Sequence, residues 1–118
     1  MTGSVSIIVG GMYGSEAKGA VCAEVVRRET KLANELYAPE PACVRVSGPN
    51  AGHTVIDAEQ REWRLRQVPV GAVISNGPLY VGQQSEVDPP VLRDEIEQLD
   101  AAGFNVSARL VVDLQATI

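Results

Sequence analysis

The sequence is poor in cysteine, in histidine and in positive charge, and each shortage closes a class of function. Its two cysteines, Cys22 and Cys43, stand far apart with no second Cys or His at zinc-ligand spacing, which argues against a zinc site and for two reduced, buried thiols. Ten basic residues against fifteen acidic ones give a formal net charge of −5. Such a chain is a poor sequence-independent binder of DNA or RNA, because that grip depends on neutralising many phosphates. A small anion stays open, since backbone amides hold phosphate without net basic charge. No apolar run approaches the roughly 20 residues that cross a bilayer, so no membrane is expected. The start "MTGSVSIIVGG" also lacks the basic head and cleavage pattern of a secretory signal, which sets the expected location as the cytoplasm. No repeat, low-complexity tract or linker interrupts the chain, and residues 1–118 read as one domain.

What is present is an ordinary globular composition, with 45% apolar and 21% charged residues, and it should fold. "VSIIV" (Val5 to Val9) reads as a buried strand ended by Gly10-Gly11. A helix is expected from about Ser15, with Val21, Val25, Leu32 and Leu36 as its inner face, until Pro39 and Pro41 stop it. "CVRVSG" (Cys43 to Gly48) is the next strand, completing a right-handed βαβ unit. "TVID" and "WRLRQV" flank the polar stretch Ala58 to Glu62 as a hairpin, and "PLYVG" (Pro78 to Gly82) is a further strand. Asp88-Pro89-Pro90 opens a second helix with an acid at the cap and prolines in the first turn. Leu92, Ile96 and Leu99 form its stripe, Gly103 ends it, and "ARLVVDL" (Ala108 to Leu114) is a last buried strand. The order predicts an α/β domain: a mainly parallel sheet with flanking helices and an inserted β-hairpin, its ligand held in loops at the carboxyl ends of strands.

Two glycine-bearing loops stand where such a ligand would sit. The first, "GMYGSEAKG" (Gly11 to Gly19), fits neither familiar phosphate motif letter by letter. Lys18 is preceded by Ala17 and followed by Gly19, unlike the Walker pattern, and no G-x-G-x-x-G can be read between Gly10 and Gly19. Free amides at a helix start with Lys18 beside them would still attract phosphate. On this loop alone, a phosphate seat and a plain turn with a solvated lysine are equally open. The second loop, "SGPNAGHT" (Ser47 to Thr54), should emerge at the same end of the sheet. It carries Asn50, whose amide can read a base or phosphate edge, and His53, the chain's one histidine and its candidate for acid/base work.

Together "GSEAKG" (Gly14 to Gly19) and "NAGHT" (Asn50 to Thr54) resemble the adenylosuccinate synthetase family, which has a Gly-Asp-Glu-Gly-Lys-Gly loop followed by an Asn-Ala-Gly-His-Thr loop. "VPVGAVISNG", "VDPPVLRDEIEQLDAAGFNV" and "RLVV" extend the likeness more weakly over nearly the whole chain. The resemblance implies the N-terminal part of a P-loop-like ligase fold. It also implies magnesium, a nucleoside triphosphate (GTP, ATP or dATP), a purine nucleotide and L-aspartate. In that family the purine's 6-oxygen is phosphorylated and aspartate's amine then displaces the phosphate. Carried over, Ser15, Lys18 and His53 hold the catalytic positions: Lys18 contacts phosphate and His53 is the catalytic acid. Gly14, Glu16, Ala17, Gly19, Asn50, Ala51 and Thr54 line the nucleotides, and Gly52 offers its carbonyl to magnesium. Glu16 also reads as a favourable charge at the helix start.

The departures are specific. Ser15 replaces the loop aspartate that takes the proton from N1 and ligates magnesium, Ala17 replaces the glycine before the lysine, and Ala20 replaces a lysine. A phage branch of the family also carries serine at the first of these positions. It joins aspartate to deoxyguanylate on the way to a 2-aminoadenine nucleotide, using ATP or dATP, which implies dGMP as substrate and a host cytoplasm. Family members run to several hundred residues. The chain is therefore expected to be an N-terminal portion, one half of a split enzyme needing a C-terminal partner chain, or a non-catalytic nucleotide-binding or protein-interaction module. Apolar surface left open predicts a homodimer or a partner.

Overall fold

The computed structural model describes residues 5–9, 17–46, 52–113 and 115–116. Helix α1 spans Lys18–Glu35 and packs on β2 (His53–Ile56), which forms a two-stranded hairpin with β3 (Glu62–Leu65), and on a single 3-10 turn at Val70–Val73. The face it buries is Gly19, Ala23, Val26 and Ala33. The sequence points instead to Val21, Val25, Leu32 and Leu36, yet Val21 and Leu32 are each 48% exposed. Closeness of approach explains the correction. A Cβ on Gly19 would stand 2.9 Å from His53 Cβ, so the head of the helix approaches β2 too closely for a larger side chain, and this contact sets which stripe turns inward. Tyr37, at φ 53°, ends the helix as the Ala38 amide turns back onto the Ala33 carbonyl at 2.8 Å, ahead of the prolines at 39 and 41.

Three short strands make the parallel sheet, β1 (Cys43–Arg45), β4 (Leu79–Val81) and β5 (Leu110–Val112), in the order β1-β4-β5 with Val44, Tyr80 and Val111 in register. The inserted hairpin is antiparallel and pairs Val55 with Trp63. Buried Asp57 closes its turn. Its carboxylate accepts from the amides of Glu59 and Arg61 at 2.9 Å, from Arg61 Nε at 2.8 Å and from Trp63 Nε1 at 2.9 Å. Burial alone would raise its pKa, but these donors hold it at about 2.

Helix α2 (Pro89–Ala101) follows the reading closely. The Asp88 carboxylate accepts from the Val91 amide, prolines fill the first turn, Leu99 is fully buried, and Gly103 takes φ 96° just past the end. Arg109 then ties the following segment back. Its guanidinium donates to the carbonyls of Ser75 and Gly77 at 2.9 Å, and of Ala72 and Phe104 at 2.8 Å.

Two strand expectations are overturned. Residues 5–9 pair with no strand and expose Val5, Ile7 and Val9; the first half of the expected βαβ unit is thus missing among the described residues. β-Branched composition favours a strand only where an edge is there to pair with it. The last strand, β5, is an edge strand with Val111 and Val112 exposed rather than buried. No helix among the described residues is long and apolar enough to cross a membrane.

Candidate functional site

The site grows from the contact between the head of α1 and the first residue of β2. Gly19 lies against His53 and Thr54: a Cβ there would come within 3.0 Å of the Thr54 carbonyl oxygen and 3.1 Å of its amide nitrogen. Lys18 precedes it, and the lysine's charge reaches the His53 ring. Lys18, Gly19, His53 and Thr54, read from two separate loops, are therefore one locus. Ala17 sits at the helix cap in a left-handed conformation, φ 57° and ψ 27°, and has no polar side chain with which to cap the amides that follow. Gly14, Ser15, Glu16, Asn50 and Ala51 lie outside the described residues.

Two cations at this locus went unread in the sequence. Arg45, on β1, is only 5% exposed and donates through Nη1 to the carbonyls of Leu65 at 2.8 Å and Val68 at 3.3 Å. Its pKa falls to about 10 through burial, with the negative charges of Glu95 and Cys43 opposing the fall. Glu95, from α2, accepts from the amides of Arg66, Gln67 and Val68 and so fixes the strand exit that Arg45 braces. Arg64, paired across the hairpin with Thr54, lies over Gly52: a Cβ on that glycine would stand 2.6 Å from Arg64 Nε. A charged residue at an inward position of a short strand was the available signal for Arg45. Arg64 becomes visible only once the hairpin register is known.

These charges set the state of His53. Burial first, then Arg45 and Lys18, push its pKa from 6.5 down to about 4, so the ring is neutral at neutral pH. A neutral imidazole set among cations, at a helix start with its amides uncapped by Ala17, is suited to meet an anion. No three carboxylate, imidazole or thiol groups converge as a metal site among the described residues. The open groove lined by Arg27, Thr30, Lys31, Asn34, Glu35 and Ile74 lies along the later turns of α1, away from Lys18.

A family profile for adenylosuccinate synthetase matches residues 7–118. The chain belongs to the adenylosuccinate synthetase family. Among curated relatives, adenylosuccinate synthetase of Methanococcus vannielii is 35% identical over 113 residues, 96% of this chain and 30% of that protein. That of Pyrococcus horikoshii is 35% identical over 112 residues, 95% of this chain and again 30% of the relative. The chain thus spans less than a third of the length of the curated relatives it matches. Among solved structures, fully ligated adenylosuccinate synthetase from Plasmodium falciparum superposes with TM-score 0.54 at 25% identity, covering 76% of this chain and 20% of that one. Cyanophage S-2L succinoaminodeoxyadenylate synthetase (PurZ), bound to dGMP and dATP, superposes with TM-score 0.56 at 27% identity, covering 88% and 26%. The α/β architecture of a parallel sheet with flanking helices is thereby that of the adenylosuccinate synthetase fold. The chain is a ligase-family member, and its Lys18 and His53 open α1 and β2 within the two segments that resemble adenylosuccinate synthetase.

Proposed function

We propose that the chain supplies the nucleotide-activating part of an adenylosuccinate synthetase-type ligase, which joins L-aspartate to the 6-position of a purine nucleotide through a 6-phosphoryl intermediate. The observation that carries this reading is the seating of His53 against Gly19, which brings the ring within reach of the Lys18 charge at the head of an uncapped helix. The first amides of α1 and Lys18 receive phosphate. An anion bound there offsets the charges of Lys18 and Arg45, which raises the pKa of His53, so the ring gains its proton with the substrate and then acts as acid toward the 6-oxygen. Asn50, Ala51 and Thr54 contact the nucleotide, as do Gly14, Glu16 and Ala17.

The nucleotide is deoxyguanylate in this reading, with ATP or dATP favoured over GTP as donor. Ser15, smaller than aspartate and uncharged, leaves room and a hydrogen bond for the 2-amino group of guanine. The likeness to a solved enzyme bound to dGMP and dATP supports the same choice. Magnesium keeps several waters and binds through few protein groups plus substrate phosphates. The described residues alone do not make a magnesium site, so the ion would rest on the triphosphate, the Gly52 carbonyl and the 14–16 loop, where it neutralises phosphoryl oxygens. We place the protein in the cytoplasm, paired with a second copy or with a chain carrying the rest of the family fold.

Calorimetry on the purified chain tests the reading. Tighter binding of dGMP than of IMP is expected, and Lys18→Ala should weaken it roughly tenfold as a charge-assisted phosphate contact is lost. Tighter binding of IMP would overturn the substrate. No binding of either nucleotide, or of ATP, would leave only the non-catalytic, protein-interaction alternative. Product formation from dGMP, L-aspartate, ATP and magnesium, compared with a full-length relative, then separates binding from turnover.

A further inference from the structure

Among the described residues Arg45 is the one buried cation, and its place is fixed from several sides. Its own carbonyl accepts from the Gly82 amide at 2.9 Å and from the Ser85 hydroxyl at 3.2 Å, which anchors the backbone at the end of β1. Its guanidinium reaches the exit of β3, where the carbonyls of Leu65 and Val68 accept from Nη1. The amides of the same stretch turn the other way. Those of Arg66, Gln67 and Val68 all donate to the Glu95 carboxylate, the last two at 3.0 Å. One run of peptide is thus gripped by a cation through its carbonyls and by an anion through its amides. Each charge polarises the peptide groups in the sense that favours the other, so Glu95 offsets part of the cost of burying Arg45.

This grip lies next to the candidate site. Leu65 is the cross-strand partner of His53, and such partners share one face of a hairpin. His53 in turn packs against Gly19 in the first turn of α1. One hydrogen bond, one strand pair and one packing contact therefore link the guanidinium to the head of that helix. At neutral pH Arg45 stays charged, since burial lowers its pKa only to about 10. Water and salt screen a charge so placed far less than they screen an exposed lysine, and its field reaches an anion that it never touches.

We propose that Arg45 and Glu95 tune the anion affinity of the nucleotide site from behind it, Arg45 as a positioning residue that attracts the phosphate seated at the head of α1 and Glu95 as the counter-charge that limits the pull. The inference rests on the nucleotide reading for its ligand and adds to it two residues outside the loops that hold the nucleotide. Opposed charges on one clamp give it a sign that packing lacks. Removing the cation weakens the bound anion, and removing the carboxylate strengthens it, whereas loosening the β3 exit from either side would only weaken it.

The test is calorimetry of ATP binding, without magnesium, to the purified chain and its variants at low and high salt. Arg45→Gln, which keeps a donor for the Leu65 carbonyl and loses the charge, is expected to bind about threefold to tenfold more weakly. Arg45→Lys, which keeps the charge and loses the fork, should stay within about twofold of the parent. Glu95→Gln, which keeps an acceptor for the amides, should bind more tightly than the parent. The deficit of Arg45→Gln should persist at high salt, while that of Lys18→Ala shrinks. Thermal unfolding shows which variants are folded, and where Arg45→Gln is not, Glu95→Gln and Arg45→Lys decide. The proposal is overturned if Glu95→Gln binds no more tightly than the parent, or if Arg45→Lys loses as much affinity as Arg45→Gln, because the clamp then acts through shape alone. A parent that binds no ATP defeats the nucleotide reading itself, and this inference with it.

Discussion

A left-handed alanine heads the helix on which the site is built. At φ 57° Ala17 pays the steric cost of a Cβ against the following carbonyl, about 1–2 kcal/mol, where the family loop has glycine. Ala17→Gly should therefore stabilise the fold by about 1 kcal/mol, the relief outweighing the added freedom of the unfolded chain. Urea unfolding measures it, and a lower midpoint for the variant would show that the conformation is not strained. His53 makes a prediction of the opposite kind. Its folded pKa, about 4, lies below its ordinary 6.5, so between those values the unfolded chain binds more protons than the folded one. The stability it contributes is complete above pH 6.5 and is lost progressively as pH falls toward 4. Thermal midpoints across that window should fall more steeply in the parent than in His53→Gln, and equal slopes would mean that the ring titrates normally.

Helix α1 shows at the scale of an element what periodicity leaves undecided. Ala23 is buried against its neighbours while Val21 faces water, so Ala23→Leu should cost about 1–3 kcal/mol by overpacking. Val21→Ser should change stability by less than about 0.5 kcal/mol. The two denaturation midpoints decide between this face and the larger-residue face, and a reversed order would restore the latter. The sequence marked the helix by its apolar spacing but not which stripe turned inward, because volume at the contact is set by the partner and not by the helix. Where the signal is local, it sufficed: Asp88, the prolines after it and Gly103 bound α2 on both sides. The candidate site divides in the same way. Lys18 and His53 were legible from their glycine-bordered loops, whereas Arg45 and Arg64 reach the site through strand pairing and register. Residues 5–9 went the other way, since a strand is a pairing with an edge and no composition supplies the edge.

Across the whole molecule, the described residues cover the parallel sheet on one face only. Cys43, Leu79 and Val81 point into the core, while Val44 at 58% exposure and Val111 at 54%, with Val46 and Tyr80, form an open apolar row on the other face. Parallel sheets are normally buried on both faces, and an apolar row of this kind attracts a cover. The pairing with a second copy proposed above would cover it, and sedimentation should then show association that rises with concentration. Replacing Val44 and Val111 with lysine sets like charges on that face and leaves the buried face untouched. The doubly substituted chain should sediment as a monomer at concentrations where the parent associates, with an unfolding midpoint close to the parent's, because the changed side chains already face water. A parent that stays monomeric and binds no apolar dye would mean that the row is covered from within the chain, and an equally associated variant would move the contact to the exposed residues Val5, Ile7 and Val9.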